Sequence, residues 1–333
     1  MINHADDTPP VPSLRTAFTG GLEHVTNHWW LVIIPLILDL FLWLGPQVTI
    51  DTLILGWLDQ LPTPLPAEMM AQINEVAPQF NLFSFLSLPI IGVPSLIATT
   101  LMQPPPIPLT NWPLSNGFEF AAYALLFSLG GTLLTTSYYA VISQTILRPY
   151  EPFWSLSEKR AAGSNRFVRN LPLYWFRFIW LVLGGFLLLF IIYLLALPLL
   201  IVAVLIHPAL TWFVGMLMLT AMLFAIILLS FTPHGLLMHY RTLDTAVRES
   251  FFIVRQYRQE TINLVLIIFI VNTLSKNVWR YADTGSWLTI TSIIGHSFIT
   301  TAMVAASFIF YHQCFHAAGL TPPEELPVPP PRP

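Results

Sequence analysis

The sequence predicts an all-α integral membrane protein, with six transmembrane helices arranged as three hairpins, each preceded by an interfacial amphipathic helix. Three observations predict it. Of 333 residues, 55% are hydrophobic and only 9% are charged, with a mean hydropathy of +0.67. A soluble domain carries about 25% charged residues, so this chain has too little charge to cover a water-facing surface. Six apolar runs reach the roughly 20 residues that a helix needs to cross a hydrocarbon core of about 30 Å. Finally, 12 of the 14 Lys and Arg residues fall in segments that those runs would place on one side, the bias expected of cytoplasmic loops.

Residues 1–28 are expected in the cytoplasm. Met1–Val11 is polar, with Asp6 and Asp7, and lacks the basic stretch, apolar run and cleavage site of a secretory signal. Leu14, Ala17, Phe18, Gly21, Leu22 and Val25 then recur at i, i+3, i+4, i+7, i+8 and i+11, which draws one apolar stripe along a helix. Residues 29–320 make up the expected six-span domain. Its first span is Trp29–Ile50, read as uncleaved, and its second is Phe118–Leu147. The third, Phe178–Leu205, and the fourth, Ala209–Pro233, contain no Asp, Glu, Lys or Arg. Only Ile206, His207 and Pro208 join them, a tight hairpin. The fifth span, Thr261–Ala282, carries Lys276 and Arg280 in its last turns, and the sixth is Ser286–Phe315. Before the fifth span, Leu243, Ala246, Val247, Ser250, Phe251 and Val254 repeat the stripe that precedes the first. Before the third span only Ala162 and Phe167 match it. The tail, Thr321–Pro333, has seven prolines in 13 residues and is expected to be extended, with polyproline II character.

Residues 51–117 carry Asp51, Asp59, Glu68 and Glu75 and no basic residue. Within them, Leu82–Met102 is long enough to cross but is broken by Pro89 and Pro94. Crossing would turn the loop of Arg148, Lys159, Arg160, Arg166, Arg169 and Arg177 outward, against the positive-inside bias. The whole stretch is therefore expected to be an extracytoplasmic Pro-rich insert. Its apolar part lies in the outer interface or re-enters between helices, where other protein must cover its free backbone. Both termini then face the cytoplasm, and the chain belongs to the cell membrane.

Ionisable groups inside a membrane are functional candidates. Asp39, Asn272 and His296 each fall about ten residues into a span, hence near mid-depth at 1.5 Å per residue. They form a candidate midplane polar site, able to exchange a proton or hold a substrate group. The competing reading is structural, with polar contacts fixing how helices pack. Arg241, Arg248, Arg255 and Arg258 lie on or beside the second striped helix and are candidate contacts for anionic inner-leaflet lipids. His24/His28 and His312/His316 are i, i+4 pairs and His234 and His239 end the fourth span, but no HExxH or CxxC pattern accompanies them, so no metal site is expected. Ser128, Thr132 and Thr136, beside Gly130 and Gly131, make a small-residue face suited to close packing. No phosphate loop, serine elbow or carboxylate pair is present, so no catalytic residue and no cofactor is expected. The single cysteine, Cys314, excludes an intrachain disulfide. A net charge of −3 makes nucleic acid an unsuitable partner. The expected partners are the bilayer and its anionic inner-leaflet lipids, to which a membrane-protein partner or a homo-oligomer would add.

The segments LRTAFTGGLEHVTNHWW and LDTAVRESFFIVRQYRQE each place a short Ala-led stripe and an Arg before a span. With six spans and cytoplasmic ends, this pattern resembles a broad group of bacterial membrane proteins that includes the membrane domain attached to some glycerophosphodiester phosphodiesterases. The resemblance implies a helical membrane domain. It transfers no active-site residue, because the catalytic barrel of those enzymes is absent, and the insert at 51–117 departs from the compact first hairpin the group would have. The function expected is a non-enzymatic scaffold, sensor or accessory factor in a lipid-linked process. The alternative is a small-solute or lipid transporter using the midplane Asp/Asn/His cluster.

Overall fold

Five of the six apolar runs fold into helices long and apolar enough to cross a membrane, and the first reaches that length only together with the helix before it. The computed structural model describes residues 12–62, 65–88, 92–99, 107–147, 156–280 and 286–320, with backbone alone at 99, 156–169 and 280. The basic loop around Arg148 and the Pro-rich tail at 321–333 lie outside the described residues. Helices α1 (Leu14–Asn27), α2 (Ile33–Leu44), α3 (Asp51–Leu58) and α4 (Ala67–Val76) lead to α5 (Gly117–Leu147). Then follow α6 (Leu156–Ile206), α7 (Pro208–Leu229), α8 (Thr232–Met238), α9 (Leu243–Gln256), α10 (Arg258–Arg280) and α11 (Thr289–Ala317). Among the described residues the single sheet is a parallel pair, β1 (Gln47–Thr49) with β2 (Asn111–Pro113), in which Val48 faces Trp112.

Two departures from the expected layout have local causes. The first run does not stay helical to Ile50. Helix α2 ends at Leu44, where Gly45 goes extended and Pro46 has no N–H to continue the ladder. Its 12 residues span only about 18 Å. A 3-10 turn at Trp29–Val32 joins α2 to α1, and the chain bends by 93° there. Before the third run there is no separate leading helix, because α6 is continuous over 51 residues. Pro172 and Pro198 sit inside α6 without ending it.

The chain divides into two compact units. One takes the start of α1, Ser143–Ile267 and the part of the chain from Ser307; the other takes Phe18–Ile142 and Ile268–Ala306.

In the second unit the Pro-broken segment begins and ends at the same place. Asn81 bridges Thr49 at the end of β1, and its side-chain oxygen accepts the Val48 and Phe83 N–H groups at 3.2 and 3.1 Å. The chain is back at β1 by Thr110, whose carbonyl accepts the Gln47 N–H at 2.9 Å. Between these points it reaches inward. A Cβ at Gly131, near the middle of α5, would come within 2.6 Å of the Phe85 carbonyl oxygen, so only glycine lets the backbone of 85–86 lie there. The small-residue face of α5 thus receives this loop. Residues 85–86 pack against α5, and residues 95–97 bond Asp39 of α2, between two points that both lie beside β1. Val48, Leu82 and Leu114 bury the start of this segment, with Phe80, Phe85, Phe120 and Phe127 packed around them.

The two striped helices bury the same positions. In α1 these are Ala17, Gly21, His24 and Val25; in α9 they are Ala246, Ser250, Ile253 and Val254. Leu22 and Phe251, both expected in the stripes, are exposed instead. Small residues among them, Ala17, Gly21, Ala246 and Ser250, let helices approach closely. A Cβ at Gly21 would meet Ala306 of α11 at 2.8 Å. Ser250 bonds the end of α7 and the start of the α8 turn, donating to the Leu228 carbonyl at 2.7 Å and accepting the Phe231 N–H at 3.2 Å.

The most apolar windows are the least buried. In the most apolar windows, those of α6 and α7–α8, only 6% of residues are buried, whereas 61% are buried in α11, which is rich in Ser, Thr and Ala. Lipid is as apolar as leucine, so the greasiest helices gain nothing from being covered by protein, and small or polar ones do.

Candidate functional site

Asp39 lies in the middle of α2 and is fully buried. Its Oδ1 accepts the Ser95 hydroxyl and the Ile97 N–H, the latter at 3.1 Å, and its Oδ2 accepts the Leu96 N–H at 3.0 Å. Ser95 Oγ in turn accepts the Ala98 N–H at 2.9 Å. The carboxylate therefore caps the start of the 3-10 turn Ile97–Thr99, doing for the returning loop what an N-cap residue does for a helix. Non-helical backbone surrounded by apolar side chains must have its N–H groups satisfied, and Asp39 satisfies two of them.

Asp39, Asn272 and His296 all belong to the second unit. His296 is fully buried on α11, and its Nδ1 lies 3.0 Å from the Ser275 hydroxyl of α10. Asn272 shares a helical face with Ser275, Lys276 and Trp279, at i, i+3, i+4 and i+7. Lys276 is the link between the other groups: its ammonium acts electrostatically on both Asp39 and His296. Trp43, Leu96 and Ile293 form the apolar cluster beside it, with Trp279, Ile97 and Ile290 packed on them. Thus Asp39 and His296 share one charged neighbour. Asn272 joins only as part of the same α10 face. Its Oδ1, the His296 Nε2 and the indole N–H groups of Trp43 and Trp279 are buried without hydrogen-bond partners.

The four arginines separate into two environments in the first unit. Arg248, Arg255 and Arg258 are exposed, and Arg248 pairs with Asp244 one turn away at 3.1 Å. Arg241 turns inward. Its Nε lies 2.8 Å from Glu249 Oε1, both side chains are largely buried, and its guanidinium stands over the Phe315 ring at 5.8 Å. Burial raises the Glu249 carboxyl above its ordinary value, and the Arg241 charge opposes that shift. His239, at the end of α8, is held down at about 4, first by burial and then by His312, Arg241 and His316. It stacks on Phe315 at 3.9 Å.

Four of the other histidines form the two i, i+4 pairs. His28 Nδ1 bonds the His24 carbonyl at 3.0 Å, and the Nε2 atoms of His312 and His316 are 3.1 Å apart. His234 Nε2 bonds Ser307 Oγ at 2.9 Å.

Sequence reasoning missed Ser95, Lys276, Trp43, Trp279 and Glu249. Lys276 carried a usable signal, a charge within an apolar run, and Glu249 a weaker one, a carboxylate three residues after Ala246 of the stripe. Ser95 carried none, being 56 positions from its partner. Comparison with protein-family models, with curated proteins and with solved structures finds no match for this chain.

Proposed function

We propose that the chain is a multi-pass protein of the cytoplasmic membrane, with both termini in the cytoplasm, that acts as a non-enzymatic scaffold, sensor or accessory factor in a lipid-linked process. One observation carries this reading. The most buried carboxylate is committed to the chain's own loop, with both oxygens taken by Ser95, Leu96 and Ile97, so it builds architecture and is not held ready for a substrate. The orientation rests on the basic residues. Arg248, Arg255 and Arg258, exposed on and beside α9, suit an anionic leaflet, where each basic group contributes about 1 kcal/mol. On this orientation the acidic insert and its returning loop face the opposite side.

A second reading, a small-solute or lipid permease, draws on the returning loop. Irregular backbone at membrane depth occurs where it is buried in protein or lines a water-filled cavity, and transporters place broken segments around their sites. One experiment separates the two. In a Cys314→Ser background, Ala98→Cys places a thiol beside Asp39. A scaffold keeps it closed to membrane-impermeant thiol reagents from both sides, whereas labelling from either side favours the permease. Single cysteines at Ser115, Ser157 and Thr284 in the same background test orientation: 115 and 284 should label from outside and 157 should not.

A further inference from the structure

The α2, α10 and α11 faces around Lys276 present hydrogen-bond donors that the chain does not use, and we propose that they bind a small oxyanion, a carboxylate or a phosphate. The binding role does not depend on whether the anion is sensed or moved.

The charge comes from Lys276. Among the described residues it has no ion-pair partner. The carboxylate that acts on it, Asp39, has its oxygens committed to Ser95, Leu96 and Ile97, so that negative charge is already shared among three donors. Three further donors belong to the same three helices: Trp279 follows Lys276 by three residues on α10, and Lys276 acts electrostatically on His296 of α11. The indole N–H groups of Trp43 and Trp279 are buried and unpaired, although both rings pack in one cluster about Leu96 and Ile293. On His296, a hydroxyl proton from Ser275 to Nδ1 leaves the hydrogen on Nε2, which is buried and unpaired as well. In a low-dielectric setting an unmade hydrogen bond costs about 1–3 kcal/mol per group, and with Ser275 donating to Nδ1 the helices α2, α10 and α11 together carry three such donors and one cation. An oxyanion answers all of them, since it is acceptor-only and negatively charged. A cation or an apolar ligand would answer none.

Position is supplied by close packing. A Cβ on Gly295 would strike the Trp279 ring, so glycine there seats the indole against α11. The Ser275–His296 bond fixes the imidazole one turn deeper. Asn272 Oδ1, the one unpaired acceptor on this face, suits a protonated oxygen of the ligand.

The test is thermal unfolding of the full chain in nanodiscs. In discs of neutral phosphatidylcholine, inorganic phosphate and acetate are titrated against sodium chloride at equal ionic strength. In a second arm, phosphatidic acid replaces part of the lipid. A saturable rise of the midpoint with phosphate or acetate in neutral discs identifies a soluble anion; a rise with phosphatidic acid alone identifies a lipid headgroup. Both support the site, provided that Lys276→Met weakens the apparent affinity at least about tenfold, the scale of one lost charge-assisted bond, while Lys276→Arg retains it. Trp279→Phe removes one donor without changing charge, so it carries the test if Lys276→Met does not fold, and a several-fold loss is expected. The proposal is overturned if no probe gives a saturable shift, or if the wild type and both weakened variants respond alike.

Discussion

The Leu96 amide donates to Asp39 Oδ2 at 3.0 Å across 57 positions of sequence. With the Ser95 and Ile97 bonds, this contact is what holds the returning loop at the middle of α2. Asp39→Ala leaves three buried donors unmatched, at about 1–3 kcal/mol each, and should lower the unfolding midpoint in detergent sharply. Asp39→Asn keeps one acceptor oxygen and should lose less. A midpoint for Asp39→Ala within error of wild type would mean the loop is held by other contacts.

Gly131 and Gly184 make a matched pair of alanine substitutions. At Gly131 a methyl group meets the backbone of 85–86, whereas at Gly184 it meets nothing within 4 Å. Gly131→Ala should destabilise by roughly 1–3 kcal/mol through overpacking. Gly184→Ala should stabilise α6 by up to about 1 kcal/mol, the helix-propensity difference. Equal effects in a chemical-denaturation series would contradict the close approach.

The Arg241–Glu249 pair is buried, so removing one partner strands the other. Glu249→Gln or Arg241→Gln alone should cost about 3–5 kcal/mol, and the double substitution much less than the sum. A double-mutant cycle with no coupling energy would place the pair in solvent.

The pH dependence follows from His239. Its folded value near 4 lies below the ordinary 6.5, so below pH 6.5 the unfolded chain takes up a proton that the folded chain refuses. Its contribution is therefore full above pH 6.5 and is lost as pH falls from 6.5 towards 4. Glu249, shifted upward by burial, works in the opposite sense and gains as pH falls through its folded value. The difference between wild type and His239→Gln should thus shrink from pH 7.5 to pH 4.5. A difference constant across that range would leave His239 exposed to solvent in the native state.

How much of this was legible depended on which force wrote the signal. Hydropathy and backbone satisfaction act along the chain, and the second run, read as Phe118–Leu147, folds as Gly117–Leu147. Pro94 lies in a stretch that the described residues show as non-helical. What that proline could not indicate was that Asp39 would hold the loop, because a capping carboxylate leaves no periodic trace. The stripes were right in period and displaced in phase, since Leu22 and Phe251 can face lipid at no cost and hydrophobicity then ceases to mark the inside. In the sequence, Lys276 is marked only by its place in the last turns of the fifth run. Its half-buried place between Asp39 and His296 is a tertiary fact, available only once three helices meet.

The candidate span with the most buried window, α11, is made after the other described helices. α6 and α7 can partition into lipid as soon as they emerge, but Gly21 on α1 meets Ala302 and Ala306 only after about 280 further residues have been made. Membrane insertion and assembly are thereby separated in time, and a chain arrested within α11 would be inserted yet unassembled. Such a chain offers proteases and chaperones of the bilayer a long interval of exposed polar helix faces. Substitutions in α11 should accordingly reduce how much protein accumulates in the cell more than they reduce how much enters the membrane.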